Sequence, residues 1–115
     1  MKVDIHSLIG ENCITLEDGQ KIFDLIHPEL LVGNAVELNF VHVTVFASPF
    51  FNAAIGHLLK DIKPDDLNRL LKITGLVPPG LMVLKRVIEN SKEYYSNDGA
   101  RKALDDVLLA QAKAQ

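Results

Sequence analysis

The stretch VTVFASPFFNAAIGHLL, Val43 to Leu59, is a nearly unbroken apolar run that holds one hydroxyl followed by proline, Ser48 and Pro49. A serine can do three kinds of chemistry in such a place. As a helix N-cap, its oxygen accepts a hydrogen bond from a backbone N–H two or three residues on. Proline is favoured at the first helical position, where its missing N–H is not needed, so Ser48-Pro49 fits both rules. As a phosphoacceptor, Ser48 would carry about −1.5 to −2 charges at a helix N-terminus, where unpaired N–H groups and the macrodipole favour anions. The same charge would lie beside Phe46, Phe50 and Phe51, and a charge placed in an apolar interface is strongly penalised by desolvation. Phosphorylation would then release a partner without unfolding the domain. As a nucleophile, Ser48 would need the glycine-flanked elbow of the hydrolases. FASPF lacks both glycines, and no catalytic residue is expected.

Other reactive side chains are sparse. His6, His27, His42 and His57 show no i,i+3 or i,i+4 pairing, so no metal site is legible. Each reads as a solvated surface histidine, although His42 and His57 are placed to approach across the Ser48 loop. The single glycine of GENCIT cannot cradle a phosphate, and no cofactor is expected. Cys13 is the only cysteine, which excludes a disulfide within the chain; it reads as a small buried residue. Pro64-Asp65-Asp66 reads as a helix or turn start, since two adjacent acids do not make a calcium loop. Tyr94-Tyr95 lies in a setting that is not basic, which favours a helix end packed on the core over base stacking.

The bulk properties point the same way. The chain has 115 residues, 48% hydrophobic and 23% charged, with a formal charge of −3. That is ordinary for one globular domain with its own core. The charge and the scattered Lys and Arg argue against nucleic acid as a partner. No run approaches the about 18 apolar residues of a membrane span, and MKVDIHSLIGEN lacks the pattern of a signal peptide, so the expected location is the cytoplasm.

The elements that must position Ser48 are legible from periodicity. KVDIHSLI alternates and reads as a short strand, with CIT as a second strand after the GEN turn. Thr15, three residues before Asp18, resembles a capping box. Ile22, Phe23, Ile26 and Leu30 follow at helical spacing, and Pro28 is expected to end or kink that helix near His27. Gly33-Asn34 reads as a turn. AVELNFV is a strand with Val36, Leu38 and Phe40 on one face; HVTVFA leads from it to Ser48 and a helix with Phe51, Ile55 and Leu58 on one side. KDIKPDD reads as a polar break, RLLKITGL as a strand and Gly75 to Pro79 as a loop. Leu81, Leu84, Val87 and Ile88 face one way on the next helix. SNDG breaks the chain, and Ala100, Leu104, Val107, Leu108 and Gln111 fall at helical spacing. This order predicts an α/β fold: a mixed β-sheet of about four strands with helices packed against it. It spans residues 1–97, and an extra C-terminal helix over 98–115 packs on the domain or on a second chain, giving a homodimer. Sites in such sheets gather at the carboxyl ends of strands, where Ser48 lies.

Leu38-Asn39-Phe40, Ser48, Phe50-Phe51, Gly56 and the run from Leu70 to Gly75 together resemble the bacterial STAS-like domain of unknown function, over roughly residues 15 to 95. That family is similar to the STAS domains of anti-anti-sigma factors. The resemblance implies a single small α/β interaction module rather than an enzyme, and a partner protein of the GHKL ATPase/kinase class. It places the switch serine at Ser48. Anti-anti-sigma factors usually read Asp-Ser-Ser-Gly there, whereas this chain reads Ala47-Ser48-Pro49-Phe50, and Asn39 stands where the STAS-like family often has Asp. The expected function is a regulatory signal-transduction module, a phosphoprotein at Ser48, with Phe46, Pro49, Phe50, Phe51 and Asn52 as the partner-binding surface. Two alternatives make different demands. A small-ligand or nucleotide module using Asn39, Thr44 and Ser48 requires a concave polar pocket beside Ser48. A structural oligomer subunit would use the Phe50-Phe51 helix as its interface.

Overall fold

The computed structural model describes residues 1–96, so the helix expected over 98–115 lies outside the described residues. The N-terminal segment departs from the alternating strand reading. It forms strand β1, Lys2–Asp4, and then turns directly into helix α1, Ile5–Ile9. Asp4 causes the switch: its side chain accepts a hydrogen bond from the Ser7 N–H, 3.3 Å away, and so serves as the N-cap. The same bond holds the Asp4 carboxyl below its ordinary range.

Strand β2, Asn12–Cys13, follows, and Thr15 caps helix α2, Leu16–Leu31, by accepting from the Asp18 N–H at 3.1 Å. Pro28 does not end α2, which continues to Leu31. It closes instead at Gly33, where the Asn34 and Gly33 N–H groups donate to the Glu29 and Leu30 carbonyls. That is the paired closure of a Schellman motif, and Gly33 takes the left-handed φ of 86° that it needs.

Strand β3, Val36–Asn39, buries Val36 and Leu38, and Phe40 continues the same buried face. Strand β4, Val45–Phe46, leads into helix α3, Ser48–Ala54, and a 3-10 turn at Gly56–Lys60. The segment read as a polar break contains helix α4, Pro64–Leu70, with Pro64 in its first turn and Asp65 and Asp66 beside its N-terminus. Strand β5, Leu71–Thr74, begins where α4 ends, so Arg69 and Leu70 are helical rather than extended. Helix α5, Pro78–Ser96, starts within the expected loop, with Pro78 and Pro79 in its first turn.

The single mixed sheet is corrected to two parallel ones. One has three strands in the order β1-β3-β5; the other has two, β2-β4. In the first, Asp4 pairs with Asn39 and Asn39 with Thr74, so three carboxyl ends line up. In the second, Cys13 pairs with Phe46. Every pairing is parallel, and the connection between each pair of bonded strands contains at least one helix, as parallel neighbours require. Helix α2 packs on α3, and α5 lies against α3, the 3-10 turn and β4. The core between them includes Ile5, Cys13, Ile22, Ile26, Leu38, Phe40, Phe50, Phe51, Ile55 and Leu58, each fully buried. Burying one such side chain contributes about 1.5–3 kcal/mol.

Candidate functional site at the β4–α3 corner

The corner is built by a backbone bond. Ala47 is extended, at φ −139° and ψ 150°, and its N–H donates to the Cys13 carbonyl at 3.0 Å, prolonging the β2–β4 ladder by one residue. Helix α3 therefore starts one residue earlier than the serine-cap reading requires. Ala47 occupies the N-cap position and Ser48 the first helical position, and no side chain caps the helix. Ser48 is exposed. Pro49 and Asn52 are exposed beside it.

Phe50 and Phe51 require a correction to the expected surface. Both are 0% exposed. Phe51 stacks on Phe46 with ring centroids 5.8 Å apart and meets Phe50 edge-on at 5.5 Å and Phe40 at 5.9 Å. These rings anchor α3 in the core and offer nothing to a docked protein. Phe46 is half-buried and reaches the surface in part. Its ring lies where a Cβ on Gly80 would meet it, 2.9 Å away, so the glycine lets the start of α5 close over β4.

Between this corner and α5 runs a groove of about 330 Å³. Its apolar lining is Phe46, Ala47, Val83 and Val87; its polar lining is Ser48, Asn52, Arg86 and Asn90. Arg86 is the one charged side chain among the described residues that line it, and it forms no ion pair with another described residue. The sequence reading missed Arg86 and Asn90. Both lie off the apolar stripe of Leu81, Leu84, Val87 and Ile88, and nothing local in the sequence around them indicates that α3 lies alongside.

The three aligned strand ends do not form a pocket with Ser48. Asp4 caps α1, Asn39 Oδ1 accepts the Val41 N–H at 3.0 Å, and Thr74 Oγ1 donates to Glu37 Oε2 at 3.3 Å. Neither Asn39 nor Thr44 lines the groove, so the trio Asn39, Thr44 and Ser48 is not brought together. A second groove of about 290 Å³ lies between α4, β5 and α5, away from Ser48. It is walled mainly by aliphatic side chains and holds opposite charges, Asp65 and Lys92.

The histidines sort differently from the expected approach of His42 to His57. His42, left-handed at φ 72°, meets His6 edge-on with centroids 5.7 Å apart. His57 lies against Phe23. His27 is not a solvated surface group: it stacks on Phe23 at 4.5 Å and bonds Asp61 at 2.9 Å. Among the described residues no cluster of His, Cys, Asp or Glu could hold a metal ion. Cys13 is fully buried, and burial pushes its thiol pKa up to about 12. Tyr95 packs against the core. Among the described residues no helix is long and apolar enough to cross a membrane.

Residues 18–81 match the family described as the STAS-like domain of unknown function (DUF4325), more than half of the chain, and the chain belongs to that family. The match contains β3, β4, α3, the 3-10 turn, α4 and β5 entire, together with most of α2 and the first turn of α5. No match was found among curated proteins or among solved structures.

Proposed function

We propose that this chain is a non-enzymatic regulatory module that docks a partner protein on the β4–α3 corner and the groove beside it, and that phosphorylation of Ser48 weakens the docking. One observation carries the reading: Ser48 is exposed and lines a groove whose other walls come from a separate helix, α5. A phosphate on Ser48 would reach solvent in the unbound chain and be enclosed in the docked one. That phosphate would lie in the groove that Arg86 lines and compete with the partner for its guanidinium, which opposes binding. The partner-contacting set is Ser48, Pro49, Asn52 and the exposed edge of Phe46. A GHKL-type ATPase is the partner class that the STAS-like resemblance suggests.

The test starts from a photo-reactive residue placed at Asn52, which identifies the protein in contact with this corner. The purified partner is then titrated against the unmodified chain, Ser48→Ala and Ser48→Glu. We expect Ser48→Ala to bind normally and Ser48→Glu to lose about tenfold or more, which is about 1.4 kcal/mol. Equal affinities for all three would defeat the switch.

A second reading is favoured by the concavity of the groove, which suits a small ligand better than a flat face does. Thermal-shift titration with nucleotides separates the two. A saturable rise in melting temperature supports a ligand-binding module, and its absence supports protein docking.

A further inference from the structure

We infer that the groove beside Ser48 selects a partner segment in which an acidic side chain stands next to an apolar one. The inference rests on the docking reading and names the chemistry of what docks. The lining has two parts. Phe46 and Val83 are half-buried and present partly exposed apolar surface above the buried Val87. An aliphatic or aromatic side chain laid there removes more apolar area from water. Asn52, Arg86 and Asn90 supply the polar part.

Within that set Arg86 decides the charge of the occupant. Its guanidinium is a planar fork of donors that matches a carboxylate in two parallel hydrogen bonds. No described residue pairs with it, and no carboxylate lies among the described lining residues. A lysine or arginine brought into the groove would meet a like charge without compensation. An aspartate or glutamate would meet an unpaired cation flanked by two amides able to donate to its remaining lone pairs. The chain as a whole carries a formal charge of −3, so this selection operates at contact and not through long-range steering.

The probe is a display library of random short peptides, selected on the full chain and counter-selected on Arg86→Glu. Arg86 is exposed, and Arg86→Gln keeps the side-chain length without the charge, so both variants should retain the native amide spectrum. We expect the enriched peptides to share an Asp or Glu beside an aliphatic or aromatic residue. Their affinity should fall about tenfold or more on either variant, the scale of a lost charge-assisted pair. Amide shifts on binding should fall at Ser48, Asn52, Arg86 and Asn90. Enriched peptides without an acid, acidic peptides that bind Arg86→Glu equally well, or no enrichment over a blank surface would each overturn the inference. The two proposals fail separately. If Ser48→Glu releases the cross-linked partner while acidic peptides ignore Arg86, docking stands and acid selection falls. If acidic peptides need Arg86 while the partner ignores Ser48→Glu, the switch falls and the selection stands.

Discussion

One backbone hydrogen bond, from Ala47 to the Cys13 carbonyl, decides what Ser48 is. It carries the strand past Phe46 and hands the N-cap position to a residue with no side-chain acceptor. The hydroxyl is left exposed and without a capping duty. Ser48→Ala should therefore change stability by less than about 0.5 kcal/mol, the usual range for surface positions, whereas loss of a true N-cap serine costs about 1 kcal/mol. Urea unfolding of the two chains measures the difference. The Ser-Pro spacing was legible in the sequence and the one-residue offset was not, because the offset depends on a strand partner more than thirty positions away (Cys13 against Ala47). Cys13 behaves as its isolation in the sequence suggests. Its thiol stays protonated in the fold, to about 12, while the unfolded chain ionises near 9.0. Its linkage therefore leaves stability unchanged below that lower value and removes stability as the pH rises from it toward the upper one. A thiol-specific reagent at pH 8 should label Cys13 only at the rate of unfolding; rapid labelling of the native chain would show that the burial is wrong.

At the scale of the element, local signals succeeded where the responsible groups are near in sequence. Thr15 caps α2, and the alternation of Val36, Leu38 and Phe40 buries one face of β3 and its extension. Thr15→Ala should cost about 1 kcal/mol by losing the bond to Asp18, read from a shift in the denaturant midpoint at constant slope. Short elements were harder. Helix α1 is five residues long and its strand-like alternation concealed the Asp4 cap; the start of α4 was legible at Pro64-Asp65-Asp66, but its extent to Leu70 was concealed because Arg69 and Leu70 read as the start of the next strand. The pairing of α2 with α3 depends on Gly19, where a Cβ would strike the Phe50 carbonyl and lie 2.8 Å from the Ala53 methyl. Gly19→Ala removes a helix-weakening residue yet should destabilise the chain by about 1–3 kcal/mol through overpacking. A gain in melting temperature would contradict the close approach. Since α3 carries Ser48, the same variant should also disturb the amide signals of the corner.

Across the whole molecule, the α/β class followed from the order of the elements, but the division into two parallel sheets did not, because pairing partners are chosen by tertiary packing. The family match covers residues 18–81, yet β1 and β2 precede it and supply one partner each to β3 and β4. Removing residues 1–14 should open the β3 edge, expose the Phe46 strand and abolish cooperative unfolding; a truncated chain that unfolds in one sharp transition would contradict this division. The groove is likewise a product of the whole fold, since α3 and α5 contribute its two walls. The most direct measurement is the footprint of the bound partner on the backbone amide spectrum. Docking at the corner predicts shifts and broadening over Ala47 to Asn52 and Val83 to Asn90, with His27, Asp61 and the β1 edge unmoved. A footprint on the β1 edge or around His27 and Asp61, with the Ser48 and Arg86 signals unchanged, would contradict it.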